Sequence, residues 1–184
     1  MKELSLHILD IAQNSITADA TLVEIEIVED TKKDILTITV KDNGKGMSED
    51  FLKKVRDPFT TTRTTRPVGM GISLFESAAK STGGNLDITS ELGVGTTVTA
   101  TFTHSHIDRQ PVGNMADTFL TIINTKPEID YVYTHKFNGA EFAVDTREIK
   151  KVLAGVDITT PGVLVWIKEN IAESLNDITG GKQQ

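Results

Sequence analysis

The stretch Ile35-Leu-Thr-Ile-Thr-Val-Lys-Asp-Asn-Gly-Lys-Gly-Met47 joins an alternating, β-branched run to a turn with two glycines. The alternation predicts a strand over Ile35–Val40, so Asp42 stands just beyond the strand end. A carboxylate there can accept a hydrogen bond from the amino group of adenine, whereas the carbonyl of guanine would be disfavoured. The glycines Gly44 and Gly46 let the backbone approach a flat ring closely. The alternative is an ordinary Asp-Asn-Gly β-turn without a ligand.

A helix predicted over Glu3–Thr17 carries two polar side chains on one face. Asp10 and Asn14 are four residues apart, so they point the same way, one turn apart. A carboxylate there can orient a water or remove its proton, and an amide oxygen can bind Mg²⁺. The alternative is that both simply belong to the solvated face of an amphipathic helix.

Two further glycine segments follow along the chain. Gly69-Met70-Gly71 opens a helix predicted over Met70–Ser81, where free backbone N–H groups and the helix dipole can meet a phosphate. Arg63 and Arg66, just ahead, can add charge-assisted contacts. No Gly-Lys-Ser/Thr follows, so this is not a Walker loop. Gly93-Val-Gly-Thr-Thr97 lies in a predicted hairpin. Each segment alone is equally typical of a plain turn.

Composition excludes several classes of protein. The chain has 184 residues, a formal net charge of −7 and no cysteine, which excludes disulfides, thiolate metal sites and cysteine nucleophiles. The acidic balance argues against broad nucleic-acid binding, because phosphates require a basic surface. No signal sequence or membrane span is evident, so we expect a cytoplasmic protein without a membrane partner.

The predicted helices and strands fall into two parts, and the second part begins after His104. The first part is predicted to hold further strands and helices at Leu22–Val28, Ser48–Arg56, Asn85–Ser90 and Thr96–Thr103. The second part begins with a predicted linker over Ser105–Gly113. Its predicted helices and strands are Met115–Asn124, Ile129–Lys136, Glu141–Val144, Thr146–Leu153 and Gly162–Ile178. We therefore divide the chain at 1–104 and 105–184. The second part is expected to be a separate small α+β extension for partner or self association, and Trp166 a core residue or partner-facing anchor.

The order of these segments resembles the GHKL superfamily, which comprises gyrase, the large heat-shock chaperones, histidine kinases and MutL-type mismatch-repair proteins. Ile11-Ala-Gln-Asn-Ser-Ile-Thr-Ala-Asp-Ala-Thr21 is similar to the MutL form of the first motif. Gly69-Met-Gly-Ile-Ser-Leu74, Ser81-Thr-Gly-Gly-Asn-Leu86 and Gly93-Val-Gly-Thr-Thr-Val98 are similar to the histidine-kinase catalytic domain. Asp57-Pro-Phe59-Thr-Thr61 resembles the phenylalanine box that opens the ATP lid of those kinases. The resemblance covers about residues 1 to 103.

This resemblance implies a Bergerat-type α/β two-layer sandwich, a mixed sheet with helices on one face and ATP·Mg²⁺ between helices and lid. Carried over by position, Asp10 occupies the place of the general base of the ATPase branches, and Asn14 would bind Mg²⁺. Asp42 would bind adenine. The remaining nucleotide contacts would come from Gly44, Gly46, Met47, Phe59, Arg63, Arg66, Gly69, Met70, Gly71 and Thr97.

Three positions depart from the family pattern. Asp10 is one methylene shorter than the usual glutamate, Thr17 stands where histidine kinases place a basic residue, and the lid between Phe59 and Gly69 is short. No room precedes residue 3 for the helices that carry a phospho-accepting histidine, so the acceptor is expected on a partner or in the second part. We predict phosphoryl transfer from ATP to a partner protein. A homodimer of this chain is an additional expectation. The alternatives are an ATPase that drives a conformational cycle and a non-catalytic adenine-nucleotide sensor.

Overall fold

A computed structural model describes residues 2–55 and 70–181 of the chain. Its helices are α1 Leu4–Thr17, α2 Glu49–Val55, α3 Met70–Lys80, α4 Met115–Thr125, α5 Thr146–Leu153 and α6 Pro161–Thr179. Its strands are β1 Leu22–Asp30, β2 Ile35–Asp42, β3 Asn85–Glu91, β4 Gly95–Thr103, β5 Asp130–Phe137 and β6 Ala140–Asp145. These elements match the predicted ones closely, apart from small shifts at their ends. No helix in this part of the chain is long and apolar enough to cross a membrane.

The strands form one mixed sheet in the order β3-β4-β2-β1-β5-β6. β1 and β5 run parallel, and the other neighbours are antiparallel. Burial alternates along most of β1 to β5, so one face of the sheet is apolar and packed under the helices. Helix α1 contacts both α3 and α4, and α4 contacts α6. The chain is therefore the predicted α/β two-layer sandwich, with the opposite sheet face polar and rich in threonine.

The C-terminal extension is continuous with the first part of the molecule. β5 pairs with β1 over eight positions, from Leu22 opposite Asp130 to Glu29 opposite Phe137. The same hydrophobic cluster contains core residues from both parts. The extension thus widens the first sheet and shares its core, in contrast to the separate unit we expected. The division of the chain into 1–104 and 105–184 remains a prediction.

The segment predicted as a linker also contacts the first helix. The backbone N–H of Leu4 donates to the carbonyl of Pro111 at 2.9 Å, and that of Ser5 donates to Val112 at 2.8 Å. A helix leaves its first N–H groups without intrahelical partners, so these two bonds complete the N-terminus of α1. The start of the extension thereby holds the helix that carries Asp10 and Asn14.

A buried carboxylate joins the two parts at the end of the sheet far from Asp42. Glu29 accepts hydrogen bonds from Nε2 of His135 and Nε2 of His104, both at 2.8 Å. Nδ1 of His135 lies 2.7 Å from the Tyr133 hydroxyl. All four side chains are buried. Burial raises the pKa of Glu29, but the two histidine hydrogen bonds outweigh it and hold this pKa below its ordinary value.

We expect Glu29→Gln to lower the free energy of unfolding at pH 7 by about 1.5–3 kcal/mol, the range for hydrogen bonds to a charged group. Because the folded-state pKa of Glu29 is lowered, its stabilisation is present above the unfolded-state pKa. It is lost as the pH falls through the folded-state pKa. Urea unfolding followed at several pH values should therefore show a weaker acid dependence for the variant than for the wild type.

Glu26 provides the matched control on the same strand. It pairs with Lys136 at 2.6 Å, and both side chains are about two-fifths exposed, at 41% and 39%. Exposed pairs contribute about 0–1 kcal/mol, so Glu26→Gln is expected to change stability little. Equal losses in the two variants, or an unchanged acid dependence in Glu29→Gln, would contradict the assigned role of Glu29.

Candidate nucleotide-binding site

Asp42 ends β2 with its carboxylate held by donors from three different segments. Oδ2 accepts a hydrogen bond from the Ser15 hydroxyl of α1 at 2.6 Å. Oδ1 accepts from the backbone N–H of Gly44 at 2.9 Å and of Thr96 at 3.2 Å. Asp42 is half-buried, and its Oδ2 has capacity for a second donor. The geometry fixes the direction of the carboxylate and leaves it able to accept a hydrogen bond from an exocyclic amine.

The glycines around Asp42 are required by the packing of the protein itself. Gly46 has a φ of +66°, and a Cβ there would collide with the carbonyl of Glu91. Gly95 has a φ of +141°, and a Cβ there would collide with the carbonyl of Asp42. A Cβ at Gly44 would lie 2.7 Å from the carbonyl oxygen of Ala18. The two predicted glycines therefore let the turn after β2 pack closely against α1 and the β3–β4 hairpin.

Helix α1 connects this turn to the start of α3. Five residues before Ser15, the side chain of Asp10 lies so close to Gly71 that a Cβ at Gly71 would be 3.2 Å from Asp10 Oδ2. Asp10 and Asn14 are both half-buried. Asn14 immediately precedes Ser15, which contacts Asp42. The structure thus brings Asp10 to the first turn of α3, and Ser15 of the same helix to Asp42.

Few side chains in this region could act as ligands for Mg²⁺. Within residues 2–55 and 70–181, no group of three or more His, Cys, Asp or Glu side chains is arranged to hold a metal ion. Magnesium commonly keeps several waters and binds through one or two protein oxygens together with substrate phosphates. The half-buried amide of Asn14, one helical turn from Asp10 on α1, is an oxygen donor of the kind that this mode of binding uses.

The structure places Thr97 away from this site. Thr97 pairs with Lys41 and Thr89 and lines the polar outer face of the sheet. Its neighbour Thr96 pairs with Asp42 instead, and its hydroxyl lies 2.8 Å from Oγ of Ser90. The physical reason is strand alternation, because successive side chains point to opposite faces. Thr96, rather than Thr97, is thus the threonine beside the proposed adenine acceptor.

The two methionines among the predicted contact residues, Met47 and Met70, differ in their burial. Met47 is half-buried and packs against the core, and its N–H donates to Ser90 at 2.8 Å. Met70, the first residue of α3, is 61% exposed. The other predicted contact residues, namely Phe59, Arg63, Arg66 and Gly69, lie outside the described residues.

His7 lies one turn before Asp10 and is buried. Its Nε2 is 3.1 Å from Oε1 of Gln110, and its ring stacks on Phe75 with centroids 5.0 Å apart. Burial lowers the pKa of His7 below its ordinary value, although the bond to Gln110 opposes the shift. The imidazole is therefore neutral at pH 7, and His7 supplies no positive charge beside Asp10.

Gly95→Ala is expected to destabilise the fold by about 3 kcal/mol or more, because it adds a backbone collision with Asp42 to an unfavourable φ. Gly93→Ala is the matched control in the same hairpin. Its φ is +79°, but a Cβ there meets nothing within 4 Å. Gly93→Ala should therefore lower the free energy of unfolding by only about 1 kcal/mol, the cost of the unfavourable φ. Urea unfolding measures the difference in stability between the two variants. Equal losses of unfolding free energy would contradict the close approach of Gly95 to Asp42.

Comparison with known sequences matches residues 2–106 to the family described as histidine kinase-, DNA gyrase B-, and HSP90-like ATPase. The C4-dicarboxylate transport sensor protein DctB of Pseudomonas aeruginosa is 38% identical over 64 residues, which cover 34% of this chain and 10% of that protein. The sensor kinase CckA of Brucella abortus is 38% identical over 65 residues, covering 35% of this chain and 7% of that protein. The matched segment is thus a small part of both relatives.

Comparison with solved structures finds the Aquifex aeolicus MutL ATPase domain complexed with ADP. The two chains are 18% identical with a TM-score of 0.48, and the match covers 84% of this chain and 70% of that one. The family match, in contrast, spans both α1 with Asp10 and Asn14 and the turn with Asp42. Because that match extends over more than half of the 184 residues, this chain belongs to the histidine kinase-, DNA gyrase B- and HSP90-like ATPase family.

Proposed function

We propose that this chain binds ATP with Mg²⁺ at the site between α1, the turn after β2 and the start of α3, and transfers the γ-phosphoryl group to a partner protein. The observation that carries the proposal is the Asp42 carboxylate, held at the end of β2 by Ser15, Gly44 and Thr96. Membership of an ATPase family supports the nucleotide, and the sensor kinase relatives support the transfer.

The preference for adenine follows from the chemistry of Asp42. An ionised carboxylate only accepts hydrogen bonds, and the adenine amino group is a donor. Guanine presents a carbonyl oxygen at the same position, which would leave two acceptors facing each other. Three protein donors fix the Asp42 carboxylate, so rotating it to accommodate guanine would break these hydrogen bonds.

The phosphates would lie towards the other end of the site. Gly71 is in the first turn of α3, where backbone N–H groups and the helix dipole favour negative charge. Mg²⁺ held by Asn14 and the phosphates would neutralise charge on the nucleotide. In the transfer, the acceptor forms a bond to the γ-phosphorus while the bond between that phosphorus and the β–γ bridging oxygen breaks, releasing ADP. Asp10 would orient the acceptor or take its proton.

The second candidate function is ATP hydrolysis that drives a conformational cycle. It is favoured by the position of Asp10, which lies against Gly71 at the phosphate end of the site. In this reaction Asp10 would accept the proton of an attacking water. The same binding site serves both functions, and only the acceptor differs.

Incubation with γ-labelled ATP distinguishes the candidates. The full chain is tested alone and with proteins encoded beside it. The proposed kinase transfers label to protein, whereas the ATPase releases labelled free phosphate. Binding of ATP with neither product would contradict both candidates and leave the nucleotide-sensor alternative.

A further inference from the structure

The side chain of Asn43, which follows Asp42 in the turn after β2, bonds back to the loop between α1 and β1. Its Oδ1 accepts hydrogen bonds from the backbone N–H groups of Thr21 and Leu22, both at 2.9 Å. Its Nδ2 donates to the hydroxyl of Thr21, also at 2.9 Å. The oxygen and the nitrogen of the amide thus both bond to the neighbouring loop, although Asn43 is an exposed residue.

Two backbone hydrogen bonds join the same loop to the same turn. The N–H of Lys45 donates to the carbonyl of Ala18 at 2.9 Å, and the N–H of Asn43 donates to the carbonyl of Leu22 at 3.3 Å. Gly44 also lies against Ala18, because a Cβ on this glycine would be 2.7 Å from the Ala18 carbonyl oxygen. The Asn43 side chain adds three hydrogen bonds to these two backbone ones.

The loop held by Asn43 begins at the end of α1. Ala18 is the C-cap of this helix, and its N–H bonds to the carbonyl of Asn14 at 2.9 Å. Ser15, on the same last turn, donates to Asp42 at 2.6 Å. The bonds of Asn43 therefore tie the turn that carries the proposed adenine acceptor to the end of the helix that carries the proposed metal ligand.

We propose that Asn43 is a positioning residue of the nucleotide site, which fixes the direction from which Asp42 meets adenine and does not itself contact the nucleotide. This inference rests on the proposed function, because it concerns the affinity of the same site. A site that is already held in its bound arrangement loses less conformational entropy when the ligand binds. Since the N–H groups of Thr21 and Leu22 are exposed, water can replace the amide of Asn43, so a variant without it folds but has a looser turn.

The chain offers a matched control in its second Asn-Gly turn, Asn138-Gly139 between β5 and β6. Oδ1 of Asn138 accepts from the N–H of Thr31 at 2.9 Å, and Nδ2 donates to the hydroxyl of Thr31 at 2.8 Å. Asn138 is exposed, as Asn43 is. Thr31 follows the end of β1 that pairs with the start of β2, so this contact lies at the opposite end of the sheet from Asp42.

Calorimetric titration of the full chain with ATP and Mg²⁺ compares the wild type with three variants. Asn43→Ala should bind ATP about tenfold more weakly, a factor of the size that one net hydrogen bond contributes. Asn43→Asp should bind almost as the wild type does, because a carboxylate still accepts from both N–H groups and the Thr21 hydroxyl can donate to it. Both proteins are titrated at high salt to screen the added charge.

Asn138→Ala should bind ATP as the wild type does. Its midpoint of urea unfolding should fall at least as far as that of Asn43→Ala, because Asn138 has a φ of +48°, which asparagine tolerates better than alanine. A loss of ATP affinity in Asn138→Ala equal to that in Asn43→Ala would overturn the proposal, since the loss would then follow from lower stability alone. So would wild-type affinity in Asn43→Ala, or a loss in Asn43→Asp as large as in Asn43→Ala.

Amide hydrogen exchange without nucleotide, followed by NMR, tests the contact separately from the proposed function. Asn43→Ala should speed the exchange of the N–H groups of Thr21 and Leu22 and leave that of Thr31 unchanged, whereas Asn138→Ala should do the reverse. Unchanged exchange of Thr21 and Leu22 in Asn43→Ala would overturn the proposal whether or not ATP binds. A wild type that binds no ATP but shows the expected exchange would instead contradict the proposed function.

Discussion

Asp10→Asn is expected to bind ATP as the wild type does and to transfer or hydrolyse phosphate about 10²–10⁴-fold more slowly, the usual contribution of a general base. The amide keeps the shape of the carboxylate and can still form hydrogen bonds, but it cannot take a proton. Since Asp10 is half-buried against Gly71, the variant keeps the packing between α1 and α3. Calorimetry measures the binding, and γ-labelled ATP measures the turnover.

Asn14→Ala is the comparison variant one helical turn away. It removes the proposed metal ligand, so it should weaken Mg²⁺-dependent nucleotide binding itself. The opposite outcomes of the two variants would separate chemistry from binding within α1. Turnover at the wild-type rate in Asp10→Asn would show that Asp10 is not the base, and would favour a sensor or a kinase that relies on a base from its partner.

Asp42→Asn is expected to weaken adenine-nucleotide binding by about 1.5–3 kcal/mol, the range for a hydrogen bond to a charged group. An asparagine keeps one acceptor but places an NH₂ group on the other side of the side chain. One side must accept from the N–H groups of Gly44 and Thr96, which leaves the NH₂ group towards Ser15 and the adenine amino group. Donor would then face donor at the base.

The control for Asp42→Asn is Asp108→Asn, which changes a carboxylate with a 71% exposed side chain outside the site. This control should bind ATP as the wild type does. Calorimetric titration with ATP and Mg²⁺ compares the three proteins. Equal affinity of Asp42→Asn and the wild type would remove Asp42 as the adenine acceptor.

The helices and strands were predictable because they depend on local patterns. The apolar face of α1 follows from residues at helical spacing, and the strands follow from alternation of β-branched residues. The same alternation would have identified the threonine beside Asp42. Val98, Ala100 and Phe102 point inward, so Thr96 shares their face and Thr97 points outward.

Ser15 could likewise have been found from the sequence. It lies on the apolar face of α1, where a buried hydroxyl needs a hydrogen-bond partner. The identity of that partner could not be predicted, because Asp42 is 27 residues away and the contact depends on tertiary packing.

Local sequence patterns could not predict where the extension attaches to the sheet. β5 pairs with β1 across about a hundred residues, and a strand pattern does not specify its neighbour. The same non-local pairing brings His135 of β5 to Glu29 of β1. Sequence patterns therefore indicated an α+β extension correctly but gave no reason to attach it to the edge of the first sheet.

We infer that the fixed Asp42 carboxylate makes this an adenine-nucleotide site. Calorimetric titration of the wild-type chain with ATP and with GTP, each with Mg²⁺, tests it most directly. We predict saturable binding of ATP and binding of GTP weaker by roughly ten- to a hundredfold, since guanine loses a hydrogen bond to a charged group and leaves two acceptors opposed. Equal affinity for the two nucleotides, or no binding of ATP, would contradict the claim.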